Sequence, residues 1–264
     1  MNKLSQLLDW FNDKTSVLVS LSGGVDSALV AYAAFQKLGK RSFAVTADYK
    51  TLSEEELASS QQISNEIGIQ HIIINYNELD NENFVQNDKN RCFYCRDELS
   101  EKLIETAKQL QLEFIVDGTH TDDLGDYRPG IDALRKNGIK SPLLDVNLSK
   151  DEIRTICKKI GLTIYNRPSN SCLASRIPWG QRVTAERLAR IEMGETIIKQ
   201  LTGFKQIRVR DLDGAAKIEV EPSNVSLLYD NNYLEQIITK FQMIGFRSVI
   251  VDPEGYKSGK LNLI

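Results

Sequence analysis

The residues with the clearest capacity for chemistry form one short turn near the N-terminus: Ser22, Gly23, Gly24, Val25, Asp26 and Ser27. The turn follows an apolar, β-branched run at 17–19, typical of a buried strand, and precedes a run of small apolar residues typical of a buried helix. Two adjacent glycines let the backbone bend tightly and leave several amides without side-chain cover. Those amides, with the positive end of the helix, favour an anion site suited to phosphate.

The residue types in the turn indicate which kind of phosphate-binding motif it resembles. It lacks the lysine of the ATP-binding pattern G-x-x-x-x-G-K-[ST] and has a serine at each end and an aspartate inside. In this setting SGG-x-DS is similar to the PP-loop of ATP pyrophosphatases. The resemblance implies that the turn binds ATP, with Asp26 and Ser27 as catalytic residues, and that ATP is cut between its α- and β-phosphates to adenylate a carbonyl or carboxyl oxygen. An ordinary Gly-Gly turn between a strand and a helix is the alternative.

Strand and helix patterns alternate from the N-terminus to about residue 174. Strands are predicted at 16–21, 41–47, 71–75, 114–117 and around 143–144, and helices at 26–38, 54–67, 97–110 and 150–160. This alternation predicts an α/β fold with a parallel sheet and helices on both faces, whose ligands bind at the carboxyl ends of the strands. The segment 76–90, rich in Asn, Asp and Glu, is predicted to be a surface loop.

The character of the chain changes after residue 184. A helix is predicted at 184–201, a hairpin from 206–210 and 215–221, a helix at 234–244 and a strand at 247–251. Pro178 and Gly180 interrupt the pattern just before this part. We therefore expect a PP-loop domain at 1–180 and a small α+β domain for substrate binding or oligomerisation at 181–264.

Further candidates for binding the nucleotide lie where predicted strands end: Ala47, Asp48, Gly118, Asp123 and Arg128. Backbone amides at Ala47 would bind adenine, and Asp48 would bind ribose or metal. The alternative is that this end of the strand is only solvated. Gly118 follows a buried strand and would allow close approach to a ligand. Asp123 belongs to a pair of adjacent aspartates that suits Mg²⁺ carried by the phosphates, and Arg128 would neutralise phosphate charge during transfer.

Of the four cysteines, one is predicted to be a core residue and the other three are candidate metal ligands. Cys157 lies among isoleucines at helical spacing and is predicted to be a core residue. Cys92 and Cys95 form a C-x-x-C ahead of a predicted helix, and Cys172 follows the last α/β helix. Three thiolates can close a tetrahedral zinc site with a fourth ligand such as His120, or hold a cubic iron–sulfur cluster with one open iron. The residues alone leave both possibilities open.

Composition indicates an ordinary soluble protein. Hydrophobic residues make up 41% and charged residues 26% of the 264 positions. A net charge of −3 argues against broad electrostatic binding to nucleic acid. No apolar run approaches the roughly 18 residues that would span a bilayer, and the N-terminus lacks the apolar core of a signal peptide. A cytoplasmic location without disulfides is expected.

Five segments together carry a more specific resemblance: NRC-x-x-C, DGTHTDDLGDYRPG, SPLLDVNLSKDEIR, PSNSCLASRIP and GYKSG. Along essentially the whole chain they resemble the LarE family of ATP-dependent sulfur transferases. The resemblance implies adenylation of a carboxylate of pyridinium biscarboxylic acid mononucleotide and its conversion to a thiocarboxylate. The product would pass to other assembly proteins of the nickel-pincer cofactor of lactate racemase. It also implies a homo-oligomer that uses ATP and Mg²⁺.

Within that family the cysteines indicate the source of sulfur. Members with a single cysteine, matching Cys172, lose its sulfur and keep dehydroalanine. Members with three, matching Cys92, Cys95 and Cys172, hold a 4Fe-4S cluster whose open iron carries sulfide from a sulfur donor. The chain has all three and is therefore predicted to be of the cluster type, with these cysteines as metal ligands and catalytic residues.

A phosphate site is implied for the C-terminal part. Arg208 and Arg210 are two apart on a predicted strand and therefore share a face. The resemblance implies that this face, with Lys257 of GYKSG, binds the phosphate of the mononucleotide. Cross-strand pairing with Glu219 and Glu221 is the alternative.

Three other functions are compatible with parts of the pattern. An amide-forming synthetase of the PP-loop type would need ammonia, but Asn2 rather than a cysteine follows Met1. A tRNA thiolase would share adenylation and the cysteines but usually carries a basic RNA-binding module. An ATP-binding regulatory module with structural zinc would release no pyrophosphate with any acid substrate.

Overall fold

The computed structural model describes residues 2–125, 129–229 and 233–257 and divides into two compact units. The first unit takes the described residues up to Glu78 together with Asn90–Asn170, and the second takes Leu79–Lys89 together with the described residues from Ser171 onward. Residues 171–180 thus belong to the second unit. The expected boundary after residue 180 concerns domains, which the division into compact units does not test. It therefore stays a prediction.

The first unit is built on a parallel sheet, which in the described residues has the strand order β3-β2-β1-β4. The strands are β1 (Val17–Ser20), β2 (Ser42–Asp48), β3 (Gln70–Asn75) and β4 (Phe114–Val116). The chain runs from β1 to β2 and β3 on one side and later returns to β4 on the other. The strand order therefore reverses beside β1, and its carboxyl end is the topological switch point where ligands of such sheets bind.

Helices cover both faces of this sheet, as expected. The helices of the whole described chain are α1 (Lys3–Asp9), α2 (Val25–Leu38), α3 (Glu54–Ile67), α4 (Glu82–Val85), α5 (Arg91–Gln109), α6 (Pro129–Lys136), α7 (Pro142–Asp145), α8 (Lys150–Lys159), α9 (Ala185–Thr202) and α10 (Tyr233–Met243). Along β1, Val17 and Val19 join the core formed with α2 and α8, whereas Leu18 joins the core formed with α5. Successive strand residues point to opposite faces, and both faces are apolar here because both are covered.

The second unit contains a small mixed sheet, again as the pattern predicted. Its strands are β5 (Ile207–Leu212), β6 (Ala215–Val220) and β7 (Ser248–Val251), with β5 antiparallel and β7 parallel to β6. Asp213 and Gly214 make the hairpin turn with φ of 51° and 87°, the left-handed conformation that two-residue hairpin turns require. Side chains from α9 and α10 cover this sheet.

Three local predictions were wrong. The segment 143–144 is not a strand but part of α7, where Pro142 occupies the first turn. The prediction failed because an apolar run this short has no periodicity that distinguishes a strand from a helix. The segment 76–90 is not a surface loop, because Phe84 and Val85 of α4 are buried. The helix predicted at 97–110 begins already at Arg91. No helix in the described ranges is long and apolar enough to cross a membrane.

Candidate active site

The turn after β1 is closed by its two serines. The Ser22 amide donates to Ser27 Oγ at 3.1 Å, the two hydroxyl oxygens lie 3.2 Å apart, and the Ser27 hydroxyl donates to Gly24 O at 3.2 Å. Gly24 immediately precedes α2 as its N-cap residue and has no side chain that could cap the helix. The first amides of α2 are therefore left to an anion, as expected for phosphate binding.

Gly23 rests directly on the first turn of α3. Its φ is 78°, and a Cβ atom there would lie 2.4 Å from the carbonyl oxygen of Glu56. Its own carbonyl accepts hydrogen bonds from the Ser59 hydroxyl at 3.0 Å and from Arg167 Nη1 at 3.4 Å. Both the backbone conformation and the space therefore require glycine at this position.

Gly118 lies against the backbone at the start of α2, whereas the sequence predicted a ligand beside it. A Cβ atom at Gly118 would lie 2.7 Å from the backbone nitrogen of Ser27. The absence of a side chain therefore lets the start of α2 pack against the end of β4. Close approach of backbone to backbone explains this glycine without a ligand, so its role in nucleotide binding stays a prediction.

Asp26 lies in a group of charged side chains that the sequence did not predict. Its Oδ2 forms an ion pair with Lys150 Nζ. His120 Nε2 lies 3.8 Å from Asp26 Oδ1 and 3.6 Å from Asp123 Oδ2. His120 is only 7% exposed, so it is not the surface residue that a loop histidine usually is. Neither Asp26 Oδ1 nor His120 Nδ1 makes a hydrogen bond within the described residues.

The two adjacent aspartates point to different partners. Asp123 Oδ2 accepts a hydrogen bond from the backbone amide of His120 at 3.1 Å. Asp122 Oδ2 accepts one from the amide of Lys150 at 2.9 Å, and this bond lowers the pKa of the Asp122 carboxyl. Asp122 thereby attaches the start of α8 to this loop. Asp26 Oδ1 and Asp123 Oδ2 both face His120 Nε2, whereas Asp122 is bonded to the start of α8, so Asp123 is the better candidate for Mg²⁺.

The remaining predicted nucleotide residues lie at the end of β2 or outside the described residues. Ala47 is buried, and Asp48 is half-buried. Asp48 Oδ1 accepts a hydrogen bond from the amide of Lys50 at 3.4 Å, and its backbone oxygen accepts one from Tyr76 at 3.2 Å. These contacts fit the end of a strand, and adenosine binding here stays a prediction. Arg128 lies outside the described residues.

The C-x-x-C pair lies in the first two turns of α5, not ahead of the helix. Cys92 and Cys95 are three residues apart and therefore share one face of the helix. Cys95 is buried and Cys92 half-buried. Arg91 Nη2 lies 4.0 Å from Cys92 Sγ, within reach of a charge-assisted contact with sulfur.

A buried carboxyl group lies behind Cys95. Glu78 is fully buried, and burial raises its pKa to about 7, although hydrogen bonds with Cys95 and Thr51 act in the opposite direction. The Thr51 hydroxyl donates to Glu78 Oε2 at 2.7 Å. Tyr76 is close enough for its pKa to be raised by the charges of both Cys95 and Glu78, in addition to its own burial. Cys95 is therefore set in a polar pocket of the first unit.

Cys172 is positioned by an arginine. It precedes the short 3-10 helix Leu173–Arg176. Arg176 is fully buried, and its Nη1 donates to the carbonyl oxygens of Ser171 at 2.6 Å and Cys172 at 3.0 Å. The same guanidinium is held by Glu195 through two bonds of 2.9 and 3.2 Å. A forked ion pair of this kind fixes the backbone that carries the thiol.

The three candidate ligand cysteines come from both units, Cys92 and Cys95 from the first and Cys172 from the second. In the part of the chain that the structure describes, no three Cys, His, Asp or Glu side chains are grouped so as to hold a metal ion. Two of the sulfurs share one helix face, and Arg176 orders the backbone at the third; a thiolate-ligated cluster on these cysteines stays a prediction. Cys157 is 0% exposed and its prediction as a core residue is confirmed.

Arg208 and Arg210 are both buried in the second unit, 6% and 7% exposed. Arg210 forms a forked pair with Glu219 Oε2 at 2.8 and 3.1 Å. The predicted alternative of cross-strand pairing is therefore realised for this arginine. Arg208 lies over the ring of Tyr256 at 5.3 Å.

Arg208 has neighbours of both charges, the cations Arg176 and Arg210 and the carboxylate Glu195. Burial, followed by the charge of Arg176, lowers the pKa of its guanidinium to about 10. Buried arginines are typical phosphate ligands, but Glu195 already supplies a negative charge here, so a phosphate site at Arg208 stays a prediction. Lys257 is exposed and pairs with Glu254 at 3.4 Å, so its part in such a site stays a prediction.

Two residues of the site were missed by sequence reasoning. Lys150 lies in a motif that was recognised, and the Ser149–Glu152 capping box predicts the start of its helix. Its pairing with Asp26 joins residues 124 positions apart, which no local pattern reveals. The bonds of Arg176 to Ser171 and Cys172 are local, but the guanidinium that makes them is held by Glu195, 19 positions away, and that pairing was missed as well.

Comparison with known proteins agrees with this geometry. A family described as queuosine biosynthesis protein QueC matches residues 16–91, which include the SGGVDS turn. The uncharacterized protein slr1717 of Synechocystis is 39% identical over 263 residues, covering 100% of this chain and 98% of the relative. The tRNA-specific 2-thiouridylase MnmA of Clostridioides difficile is 22% identical, over 67% of this chain and 60% of its own length.

A relative with a specific name also matches nearly throughout. The pyridinium-3,5-bisthiocarboxylic acid mononucleotide synthase of Lactiplantibacillus plantarum is 28% identical over 265 residues, covering 98% of this chain and 94% of that protein. The two near full-length matches extend through both units. The chain is therefore a PP-loop sulfurtransferase, and it is similar to the LarE family over nearly its whole length.

Proposed function

We propose that this protein is an ATP-dependent sulfur transferase that adenylates a carboxylate of pyridinium biscarboxylic acid mononucleotide and converts it to a thiocarboxylate. The observation that carries the proposal is the SGGVDS turn at the switch point of the sheet, in a chain that resembles the L. plantarum synthase over nearly its full length. The turn supplies an ATP site, and the synthase resemblance supplies the substrate.

Adenylation solves a chemical problem, since a carboxylate oxygen is a poor leaving group. In the proposed step that oxygen attacks the α-phosphorus of ATP, a new P–O bond forms, and the bond to pyrophosphate breaks. Negative charge grows on the departing pyrophosphate. The amides at the start of α2 and the Lys150 ammonium would stabilise it, with Mg²⁺ held beside Asp26 and Asp123.

The second step replaces the activated oxygen by sulfur. Sulfide attacks the acyl carbon of the adenylate, and AMP leaves with the former carboxylate oxygen. A 4Fe-4S cluster on Cys92, Cys95 and Cys172, when bound, would supply that sulfide at the iron without a protein ligand. In this assignment the residues of the chain hold the thiols in place. Arg176 fixes the backbone at Cys172, and α5 presents the other two thiols on one face.

The second unit would hold the other end of the substrate. The phosphate of the mononucleotide would bind beside Arg208, a buried arginine that has Arg176 and Arg210 as well as Glu195 among its neighbours. Arg210 is held by Glu219 and Ser175, so it would orient the strand or contact phosphate with its remaining donors. A cytoplasmic location, a homo-oligomeric assembly and transfer of the product to other nickel-pincer assembly proteins belong to the same proposal.

The experiment that tests it follows Cys172 through turnover. The protein, purified without oxygen, is incubated with ATP, substrate and sulfide, and the thiocarboxylate product and the protein mass are measured. A recharged cluster predicts repeated turnover and unchanged protein mass. Cys92→Ser, Cys95→Ser and Cys172→Ser should each lose iron and thiocarboxylate formation, because one missing thiolate leaves too few ligands. Each should keep releasing pyrophosphate, because the nucleotide turn uses other residues.

Two results would change the proposal. Dehydroalanine at position 172, with Cys92→Ser and Cys95→Ser still active, would mean that Cys172 is sacrificed. Absence of pyrophosphate release from the unaltered protein would exclude adenylation of this substrate. Thiolation of tRNA under the same conditions would favour the second candidate, a tRNA thiolase, which the similarity to the thiouridylase supports.

A further inference from the structure

Arg167 connects three parts of the first unit. Its Nη2 lies 2.7 Å from Glu56 Oε1 and 3.4 Å from the carbonyl oxygen of Glu55, both in the first turn of α3. Its Nη1 donates to the carbonyl oxygen of Gly23 at 3.4 Å. The side chains of Arg167 and Glu56 are only 20% and 10% exposed, so little water competes for the pair.

The backbone of Arg167 is held as firmly as its side chain. Arg154 of α8 donates from Nη1 to the carbonyl oxygen of Tyr165 and from Nη2 to that of Arg167, both at 2.8 Å. The Arg167 amide donates to Ile164 O at 3.0 Å. Arg167 is therefore bonded to the nucleotide turn through its guanidinium and to α8 through its backbone carbonyl group.

Arg167 immediately precedes the segment 168–172, which ends at Cys172. Residues 168–172 form neither helix nor strand, and they lead from the first unit through Ser171 to Cys172. Arg167 is the last residue before this segment whose side chain contacts the nucleotide turn. A shift of Gly23 or of the α3 turn would act, through the Arg167 guanidinium, on the residue next to this segment.

We infer that Arg167 is a positioning residue that couples occupancy of the nucleotide turn to the segment carrying Cys172, and so couples sulfur transfer to adenylation. The inference rests on the proposed function for the nature of the two steps. An arginine suits the role, because its planar fork reaches a carboxylate and two carbonyl groups at once, which a lysine ammonium does not do.

The test compares Arg167→Gln, Arg167→Lys and Glu56→Gln with Arg182→Gln. Arg182 is a matched control, since it forms an ion pair with Glu82 at 2.6 Å, but both side chains are largely exposed. Hydrogen–deuterium exchange is measured over residues 168–176 with and without a non-hydrolysable ATP analogue. Pyrophosphate and thiocarboxylate are measured in the same preparations, ATP affinity by calorimetry, and folding by thermal melting.

In the unaltered protein and in Arg182→Gln, the analogue should slow exchange over 168–176. In Arg167→Gln and Glu56→Gln that protection should disappear, and thiocarboxylate formed per pyrophosphate should fall about tenfold, within the usual range for coupling between sites. Arg167→Lys should lie between. Unchanged protection and an unchanged product ratio in folded Arg167→Gln would overturn the inference. Absence of ATP binding by the unaltered protein would overturn the proposed function, and the inference with it.

Discussion

At the scale of single residues, the site is organised by charges that reach across the first unit. Asp26 pairs with Lys150, while His120 lies beside Asp26 and Asp123. The ammonium of Lys150 is thereby held next to the turn that would receive the phosphates. A cation placed before the reaction begins stabilises developing charge without further reorganisation, which is why such groups have large effects on rate.

Asp26→Ala, Ser27→Ala and Lys150→Ala are expected to lower pyrophosphate release by about 100-fold or more, the usual cost of losing a preorganised group of this kind. Ser27 closes the turn and Lys150 supplies charge. Release of pyrophosphate from ATP and substrate is the measurement, and Lys159→Ala is the control, since Lys159 is an exposed lysine of the same helix. Undiminished ATP cleavage in both the Asp26 and the Ser27 variant would contradict the assignment of the turn.

At the scale of elements, α8 contributes to both the core and the site. Its first residue, Lys150, pairs with Asp26, whereas Ile153, Ile156 and Cys157 join the core around α2. The Cys157 thiol donates to the carbonyl oxygen of Val25 at 3.9 Å, in the first turn of α2. Burial raises the pKa of Cys157 to about 12, so this thiol stays protonated and is a poor metal ligand.

Cys157→Ala should reduce the free energy of unfolding by about 1 kcal/mol, since deleting one buried atom leaves a small void. Iron content, pyrophosphate release and thiocarboxylate formation should change little. The free energy is measured by urea unfolding and the iron by a colorimetric assay, with Cys172→Ser as the comparison that should lose iron. Loss of iron from Cys157→Ala would show that the division into one core and three ligand cysteines is wrong.

At the scale of the whole molecule, the two proposed binding functions belong to different units. The nucleotide turn lies in the first unit, and the buried arginines of β5 lie in the second. Each unit has its own core. Substitutions in one unit should therefore affect one ligand more than the other.

Arg208→Ala combined with Arg210→Ala should weaken binding of the phosphorylated substrate while ATP affinity stays within about threefold. Each charge-assisted bond to phosphate is worth about 1.5–3 kcal/mol. Both affinities are measured by calorimetry, with Arg247→Ala as control, because Arg247 is an exposed arginine of the same unit. Since Glu219 would lose its partner, thermal melting must show a folded protein. Equal losses for both ligands would indicate a damaged hairpin instead of a lost phosphate site.

The sequence by itself determined the parallel α/β architecture, the SGGVDS turn at its switch point, the hairpin of the second unit and the burial of Cys157. These features have local periods or local turn residues, which act over a few positions. Helix 54–67 was placed without error for that reason, since Ser53 caps its start and Gly68 ends it.

Only the tertiary structure decided the rest. The pairs Asp26–Lys150, Arg176–Glu195 and Arg167–Gly23 join residues that are 124, 19 and 144 positions apart in sequence. The start of α2 packs against Gly118, which by itself requires a glycine at this position. Such contacts follow from how the elements pack, and a single chain without its fold carries no local signal for them.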